Sequence, residues 1–527
     1  MDIVLRGGTV VDGTGTVARA LDVGCRGDQI VGVGRGLTAA EVIDCEGHVI
    51  CPGFIDTHSH SDIKLLVDPQ LPEKLRQGIT LEVLGQDGIS VAPVNEHERK
   101  SWKQKLSGLE GDFGVEWDWL SVRDYLRRVE SAKPAQDIAY LVPHGAIRQL
   151  VMGGEDRRAT GGELTALQEA LRDGIEQGGC GLSTGLIYPP CCYADTDELI
   201  ALGHILKETN TPLVVHMRSE SDFMPEALDE MIAVAEASGC AVHVSHLKIA
   251  GRENWSRAQS IIDQFENARA RGIRLTADQY PYAAGSTLLG AILPPWAHAG
   301  GTDATLAHLR APQCRARLRS ELSSTDTSDW DNFWRWSGPA GILVADIPSG
   351  RHPHWIGKSL SEIAALTGKD PFDAAFDLLL EEKLGVAMIS FSQSESVVEQ
   401  FMKLPYVNGC TDGLLGGRPH PRAYGSFPRV LGHYVRERRA LSLEEAIRKL
   451  TSQAAEAFGF ADVGRIAPGM RANLVVFDPD TVADTATFED PIQFSAGIRD
   501  VIVAGRFAVR DETLTGERPG RVVRWQS

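Results

Sequence analysis

The sequence contains no CxxC pair, and its nine cysteines, at 25, 45, 51, 180, 191, 192, 240, 314 and 410, are an odd number scattered over 527 residues. This argues against a disulfide framework and for reduced thiols buried mostly in cores. A bridge between the neighbours Cys191 and Cys192 would be strained, so they too read as free thiols. Long apolar runs are also missing, since none approaches the roughly 18–20 residues of a membrane span. The opening MDIVLRGGTVVDGTG has neither a charged start followed by an apolar stretch nor a small-residue cleavage site. Positive charge is scarce: 53 lysines and arginines face 71 acidic residues, a net charge of −18, which speaks against nucleic acid or an anionic membrane as partner. Internal repeats and low-complexity segments are absent as well. The expectation is a cytoplasmic protein, and 43% hydrophobic residues suffice for large buried cores.

What is present divides into two textures. The first fifty residues alternate β-rich runs with turns (DIVLRGGTVVDG, ALDVGCRGDQIVGVG, EVIDCEGHVICPG), and the last sixty do the same (GMRANLVVFDPD, IRDVIVAGRFAVRDE, GRVVRW). Segments 1–50 and 465–527 therefore read as one small β-sandwich domain built from both termini. Between them, short apolar strands alternate with helical stretches such as MPEALDEMIAVAEASG, the pattern of repeated βα units. Eight strand candidates can be counted: VICPGFIDTH, ITLEVLG, IAYLVP, CGLSTGL, PLVVHM, AVHVSH, RLTADQ and YVNGCTD. The predicted fold class is α/β, a (β/α)8 TIM-like barrel over residues 51–464. More than a hundred residues separate the seventh and eighth candidates, too many for one βα connection. Residues 290–400 are therefore expected to form an inserted subdomain or lid, with Trp330, Trp334 and Trp336 in its core.

The chemistry concentrates at strand ends. In CPGFIDTHSHSD, residues 51–62, strand alternation puts His58 and His60 on one side and Thr57 and Ser59 on the other. Sites in such barrels lie at the C-terminal strand ends. His216 ends PLVVHM, His246 ends AVHVSH, and Asp412 follows YVNGC. Four imidazoles and a carboxylate converging on one mouth suit Zn²⁺. His243 has the opposite parity to His246 and is expected to face the helices. His97, His144, His204, His298 and His433 have no comparable setting.

These motifs resemble the amidohydrolase superfamily, and within it the D-aminoacylase family of N-acyl-D-amino-acid deacylases. The resemblance runs nearly end to end, through LRGGTVVDGTG, PGFIDTHSHSD, SHLK, DQYPYAAGST, TDG with HPRAYGSFPRVLG, and APGMRANLVVFDPD. It implies one or two zinc ions held by His58, His60, His216, His246 and Asp412. Many relatives add a carboxylated lysine on strand four, but CGLSTGLIYPP has no lysine. D-aminoacylases instead use the cysteine of a Gly-Asn-Cys-Gly turn after strand two. Here that turn reads GQDG, so Asp87 stands at the ligand position, with Glu82 as the rival deeper in the strand.

The resemblance further implies hydrolysis of the linear amide of an N-acyl-D-amino acid, a small-molecule substrate. Asp412 would act as general base and as a ligand. Lys248, two residues beyond His246, and Arg422, ten beyond Asp412, would hold the substrate carboxylate, with Tyr280 and Ser286 at matching family positions. Asp62 and Arg218 are candidates for supporting the ligands or for plain loop polar groups. Arg351 and Lys358 are the insertion's candidates for a further cation, should the substrate side chain be acidic. The alternatives are a cyclic amide, as in hydantoinases, or an isoaspartyl dipeptide; a non-catalytic binding protein on the same scaffold is the reading from another class. Oligomeric state is not legible in the sequence.

Overall fold

The computed structural model describes residues 1–326 and 330–525. All eight strand candidates form strands: β1 Phe54–Asp56, β2 Ile79–Leu84, β3 Asp137–Tyr140, β4 Leu182–Gly185, β5 Pro212–His216, β6 Ala241–Val244, β7 Leu275–Gln279 and β8 Val407–Gly409. Every pairing among them is parallel and follows chain order. The strands fall into separate ladders rather than one sheet. β1, β2 and β3 form one; a second starts at Val142–Pro143, just past β3, and runs through β4 to β8. A third pairs Ser59–His60, just past β1, with Gly413–Leu414, just past β8, beside a hydrogen bond from the Asp412 N–H to the His58 carbonyl (2.8 Å).

Strand alternation sorts the side chains into two cores. Leu213 and Val215 of β5 pack with the helices, together with Val242 and Val244 of β6. Val214 faces the other way, among Ile55, Leu81, Val83, Ala139 and Leu141, and this inner cluster is plugged by Ala454, Ala455 and Phe458 of the helix Ser452–Phe458. His243 belongs to the inner side, contrary to expectation. Its ring lies 3.0 Å from Asp278 Oδ2 and 2.8 Å from Thr276 Oγ1, and packs edge-on against Phe458. The parity argument failed because β6 ends at Val244: His246 sits beyond the strand in a turn with φ +36°, where alternation no longer applies.

The terminal strands, expected to form one β-sandwich, are hydrogen-bonded into a single nine-stranded sheet. The N-terminal Val49–Pro52 and the C-terminal Leu474–Phe477 pair antiparallel and join the two ends. One core cluster unites Val23 and Ile30 with Ile502 and Phe507 from the opposite end of the strand order. A second cluster packs Val475, Val501 and Val503 against Phe427 and Tyr434.

The long connection between β7 and β8 carries its own apolar core, including Leu289, Leu318, Trp334 and Phe376. An antiparallel sheet of Gly285–Leu288, Ile342–Asp346 and Ala387–Ser390 accompanies it. Trp334 is core as expected, whereas Trp336 is only partly buried and borders the cavity described below. All nine cysteines are free thiols, and among the described residues no helix is long and apolar enough to cross a membrane.

Candidate metal centre

The expected ligands meet just beyond the C-terminal strand ends. His58 Nε2 and His60 Nε2 each lie 3.6 Å from an oxygen of Asp87, and 3.7 and 3.4 Å from Asp412 Oδ1. His246 Nε2 and His216 Nδ1 lie 3.5 and 3.8 Å from Asp87 Oδ1, and 3.0 Å from each other. Ligand-type atoms gather into three overlapping groups, each within 4.8 Å: His58, His60 and Asp87; Asp87, His216 and His246; and His58, His246 and Asp412. Asp87 is shared by the first two. Both ring nitrogens of His58 and of His60, His216 Nε2 and Asp87 Oδ1 are buried with no hydrogen-bond partner. Buried polar atoms are seldom orphaned, and this set consists of the donors a divalent cation takes.

Backbone strain accompanies the cluster. Asp87, His246 and Asp412 have φ of +57°, +36° and +47°. Such angles are uncommon outside glycine and concentrate at functional sites. Each follows a strand end, so the turn aims the side chain inward. The turn bearing Asp87 is flanked by Gly85 and Gly88, both at positive φ. A Cβ on Gly88 would come within 2.9 Å of Thr184 Cα and 2.8 Å of Cys191 Sγ. Asp62 supports this turn, its Oδ1 accepting from the Gly85 N–H (3.1 Å) and from Ser90 Oγ (2.7 Å).

The electrostatics call for positive charge. Burial and the nearby Lys248 cation oppose protonation of His246, yet the carboxylates of Glu220 and Asp87 push it up to about 9. His60 is likewise pushed up to about 10 against burial, by Asp412 and Glu110. A bound divalent ion would satisfy the same carboxylates and take the imidazole lone pairs in place of protons. Burial drives His216 down to about 3, the neutral form that ligates. Burial disfavours the Asp412 carboxylate, but Arg422 overrides it and holds the group below the usual range.

Glu82 does not reach the cluster. It accepts hydrogen bonds from Ser59 Oγ (2.7 Å) and Ser61 Oγ (2.8 Å), and lies 3.3 Å from the buried ammonium of Lys74. Lys74 Nζ also bonds Asp56, Ser59 and Thr411, each at 2.8 Å, tying β1, β2 and the segment after β8 together beneath the ligands. Arg218 turns away as well, to Glu230 and to the carbonyls of Cys192 and Ala194. His144 is buried against Thr184 and Glu198.

Three carboxylates escaped the sequence reading. Glu220 lies 3.1 Å from His246 Nδ1 and 3.4 Å from His216 Nε2, and accepts from Lys248 Nζ (2.6 Å). Its signal was its place four residues after His216. Glu110, at the end of the helix Arg99–Glu110, lies 3.7 Å from His60 Nδ1 with both oxygens buried and unpartnered. Asp278 of β7 accepts from the His246 N–H (2.5 Å) and Thr57 Oγ1 (2.7 Å), bracing the turn that presents His246. Neither of these two carries a spacing signal. Carboxylates in such positions orient ligating imidazoles.

The cluster opens into a cavity. Lys248, Tyr280, Ser286 and Arg422 all line it, with Asp87 and Asp412. Arg422 is buried; one arm of its fork pairs with Asp412 Oδ2 (2.8 Å), another donates to the Ser286 carbonyl (2.9 Å), and Nε has no partner. Its guanidinium lies 4.4 Å from the Tyr280 ring centroid. Tyr280 OH accepts from Gln393 Nε2 (2.7 Å), which leaves its own proton to donate. Ser286 Oγ donates to the Met388 carbonyl (2.9 Å). Arg351 pairs with Glu382 (3.0 Å), and neither it nor Lys358 is among the lining residues.

Comparison with known proteins follows this geometry. N-acyl-D-glutamate deacylase of Alcaligenes xylosoxydans xylosoxydans is 35% identical over 528 residues, covering 99% of this chain and 96% of that protein. D-aminoacylase of the same organism is 34% identical, over 99% and 97%. A crystal structure of N-acyl-D-glutamate deacylase from Bordetella bronchiseptica, complexed with zinc and a phosphonate mimic of the tetrahedral intermediate, superposes with a TM-score of 0.84 at 32% identity over 99% of each chain. The profile of the amidohydrolase family matches residues 41–319 and 353–509, and with relatives alike over their full length the chain belongs to the amidohydrolase family.

Proposed function

We propose that this chain is a metal-dependent hydrolase that removes the acyl group from N-acyl-D-amino acids. The observation that carries this reading is Asp87 shared between two three-ligand groups, at the foot of a cavity holding a buried arginine with a free N–H. His58, His60, Asp87 and Asp412 would hold one ion, and Asp87, His216 and His246 a second. Their nitrogen and carboxylate donors suit zinc, the metal named for the Bordetella relative. When bound, the metal polarises an amide carbonyl and brings the pKa of a water toward neutrality.

The remaining roles belong to the chain. Arg422 and Tyr280 hold the substrate carboxylate, and Lys248 adds positive charge beside it. Ser286 fixes Arg422 through its carbonyl. Because Arg422 occupies Asp412 Oδ2, Oδ1 faces the ligands; there Asp412 accepts the proton of the attacking water and passes it to the leaving nitrogen. The products are a carboxylate and a D-amino acid. Glu110 and Glu220 orient His60, His216 and His246.

We read the eight strands as one (β/α)8 barrel over 51–464, with 290–400 inserted over its mouth. The ordered parallel pairing and the link between the segments after β1 and β8 support this. The terminal segments 1–50 and 465–527 form the β-sandwich domain by the sheet folding onto itself, as the core shared between its far strands supports. Nine free thiols fit a cytoplasmic location.

The test is ninhydrin-detected release of amino acid from paired N-acetyl-D and N-acetyl-L amino acids, with and without added Zn²⁺, and with Asp412→Asn alongside. Release from the D series alone, lowered at least about 100-fold in the variant, is expected for loss of a general base. No release from either series by zinc-loaded protein sinks the assignment.

A further inference from the structure

The relatives matching this chain include an N-acyl-D-glutamate deacylase, a D-aminoacylase and an N-acyl-D-aspartate deacylase at almost the same identity. Overall similarity therefore does not say which side chain the substrate carries; the cavity wall does. We infer that the site takes N-acyl-D-amino acids with uncharged, apolar side chains, aromatic ones among them, and excludes D-glutamate and D-aspartate derivatives. This rests on the deacylase reading above.

Of the lysines and arginines among the described residues, only Lys248 and Arg422 line the cavity, and both are paired, Arg422 keeping a free Nε–H. Lys248 donates to Glu220 at 2.6 Å, and Arg422 pairs with Asp412 at 2.8 Å. The α-carboxylate of the substrate uses what donor capacity they have left. The nearby cation of the insertion, Arg335, does not line the cavity and is bound to Asp222 (2.7 Å) and Glu253 (3.2 Å). A second carboxylate, on the side chain, would be buried without a partner, an arrangement proteins avoid.

Elsewhere the wall is neutral, and two of its hydroxyl pairs are mutually satisfied. Thr287 Oγ1 and Tyr188 OH are 2.7 Å apart, as are Ser390 Oγ and Ser337 Oγ. Beside them stand two aromatic rings, one of them Trp336, whose buried Nε1–H has no partner. Phe333 and Trp336 border the cavity with ring centroids 4.7 Å apart. Trp336 lies over Gly251, where a Cβ would approach its Cδ1 to 3.2 Å, next to the small Ala250 of the same wall. Ala250, Phe333 and Trp336 thus give this part of the wall an apolar surface against which an apolar side chain can pack.

The experiment compares kcat/KM for N-acetyl-D-phenylalanine, N-acetyl-D-leucine, N-acetyl-D-alanine, N-acetyl-D-glutamate and N-acetyl-D-aspartate on the zinc-loaded protein, then repeats it for Trp336→Ala and for the milder Phe333→Leu. Apolar over acidic substrates by at least about 100-fold is expected. Trp336→Ala should lower kcat/KM for the phenylalanine derivative about tenfold, largely through KM, and leave the alanine derivative within about twofold. Acidic derivatives turned over as well as apolar ones would overturn the inference while leaving the deacylase reading intact. Equal losses on all substrates in both variants would remove Trp336 and Phe333 from specificity and overturn it too. No release from any D substrate would defeat the deacylase reading, and the inference with it.

Discussion

Lys74→Met is the perturbation that best separates scaffold from chemistry, because Lys74 bonds no candidate ligand yet holds Ser59, between His58 and His60, and Thr411, next to Asp412. Its ammonium is fully buried between Asp56 (2.8 Å) and Glu82 (3.3 Å), both also fully buried. Burial disfavours the charged lysine, but the two carboxylates more than compensate and raise its pKa. Methionine preserves the stem and removes the charge, leaving two carboxylates with only hydroxyl and backbone donors. Removing one partner of a buried ion pair costs about 3–5 kcal/mol. Unfolding entropy of about 2.1 cal/mol/K per residue over 527 residues is roughly 1.1 kcal/mol/K, so cooperative unfolding predicts a Tm drop of about 3–5 °C. Calorimetry on zinc-loaded protein reads this directly. The double variant Lys74→Met with Glu82→Gln should recover part of the loss, since one stranded charge is neutralised. Zinc retention during dialysis should also weaken, because Asp56 accepts from the Thr411 N–H (2.8 Å), next to Asp412. A Tm change under about 1 °C, or a double variant that loses the sum of both singles, would refute the account of Lys74 as the charge balancing this floor.

Asp87→Asn keeps the shape of the shared ligand and removes its charge; metal content by elemental analysis should fall to at most one ion per chain, with affinity for that ion weakened by more than the roughly 10–100-fold seen for orienting partners. Unchanged stoichiometry and affinity would exclude Asp87 as a ligand. Arg422→Lys loses the planar fork, and steady-state kinetics on N-acetyl-D-leucine should show kcat/KM lowered about 10–100-fold, the worth of one charged hydrogen bond; an unaltered KM would assign the carboxylate elsewhere. Asp331, which accepts from Ser219 Oγ, Ser221 Oγ and the Glu220 N–H, is pushed up to about 7 by burial, against those hydrogen bonds and with help from the Glu220 charge. A carboxyl raised on folding is fully compatible with the fold below its ordinary value of 3.8 and costs stability as pH rises toward 7. The Tm of Asp331→Asn minus that of the parent should therefore climb from about pH 4 to about pH 7 and level off above it, and a flat difference across that window would contradict the shift.

The sequence by itself determined the strand count and chain order, because short apolar segments and intervening helical periodicity are local properties. It also marked five candidate ligand positions, since His58, His60, His216, His246 and Asp412 all stand at or just past strand ends, where the structure brings them together. Asp87 was legible only through the GQDG turn and its family resemblance. Tertiary structure decided the rest. Glu110 and Asp278 reach His60 and His246 from elements distant in sequence, so nothing in local spacing marks them. His243 was misread because parity fails where a strand stops short, and the turn at His246 is a backbone conformation rather than a residue pattern. Which terminal strands are neighbours was also a tertiary matter, because alternation reports which face is buried and not which neighbour is paired; hydrogen bonding joins them into one sheet. Whether a cation in the sequence serves the substrate is likewise a three-dimensional question: Arg351 and Arg422 look alike as residues, but only Arg422 is buried beside the ligands with a free N–H.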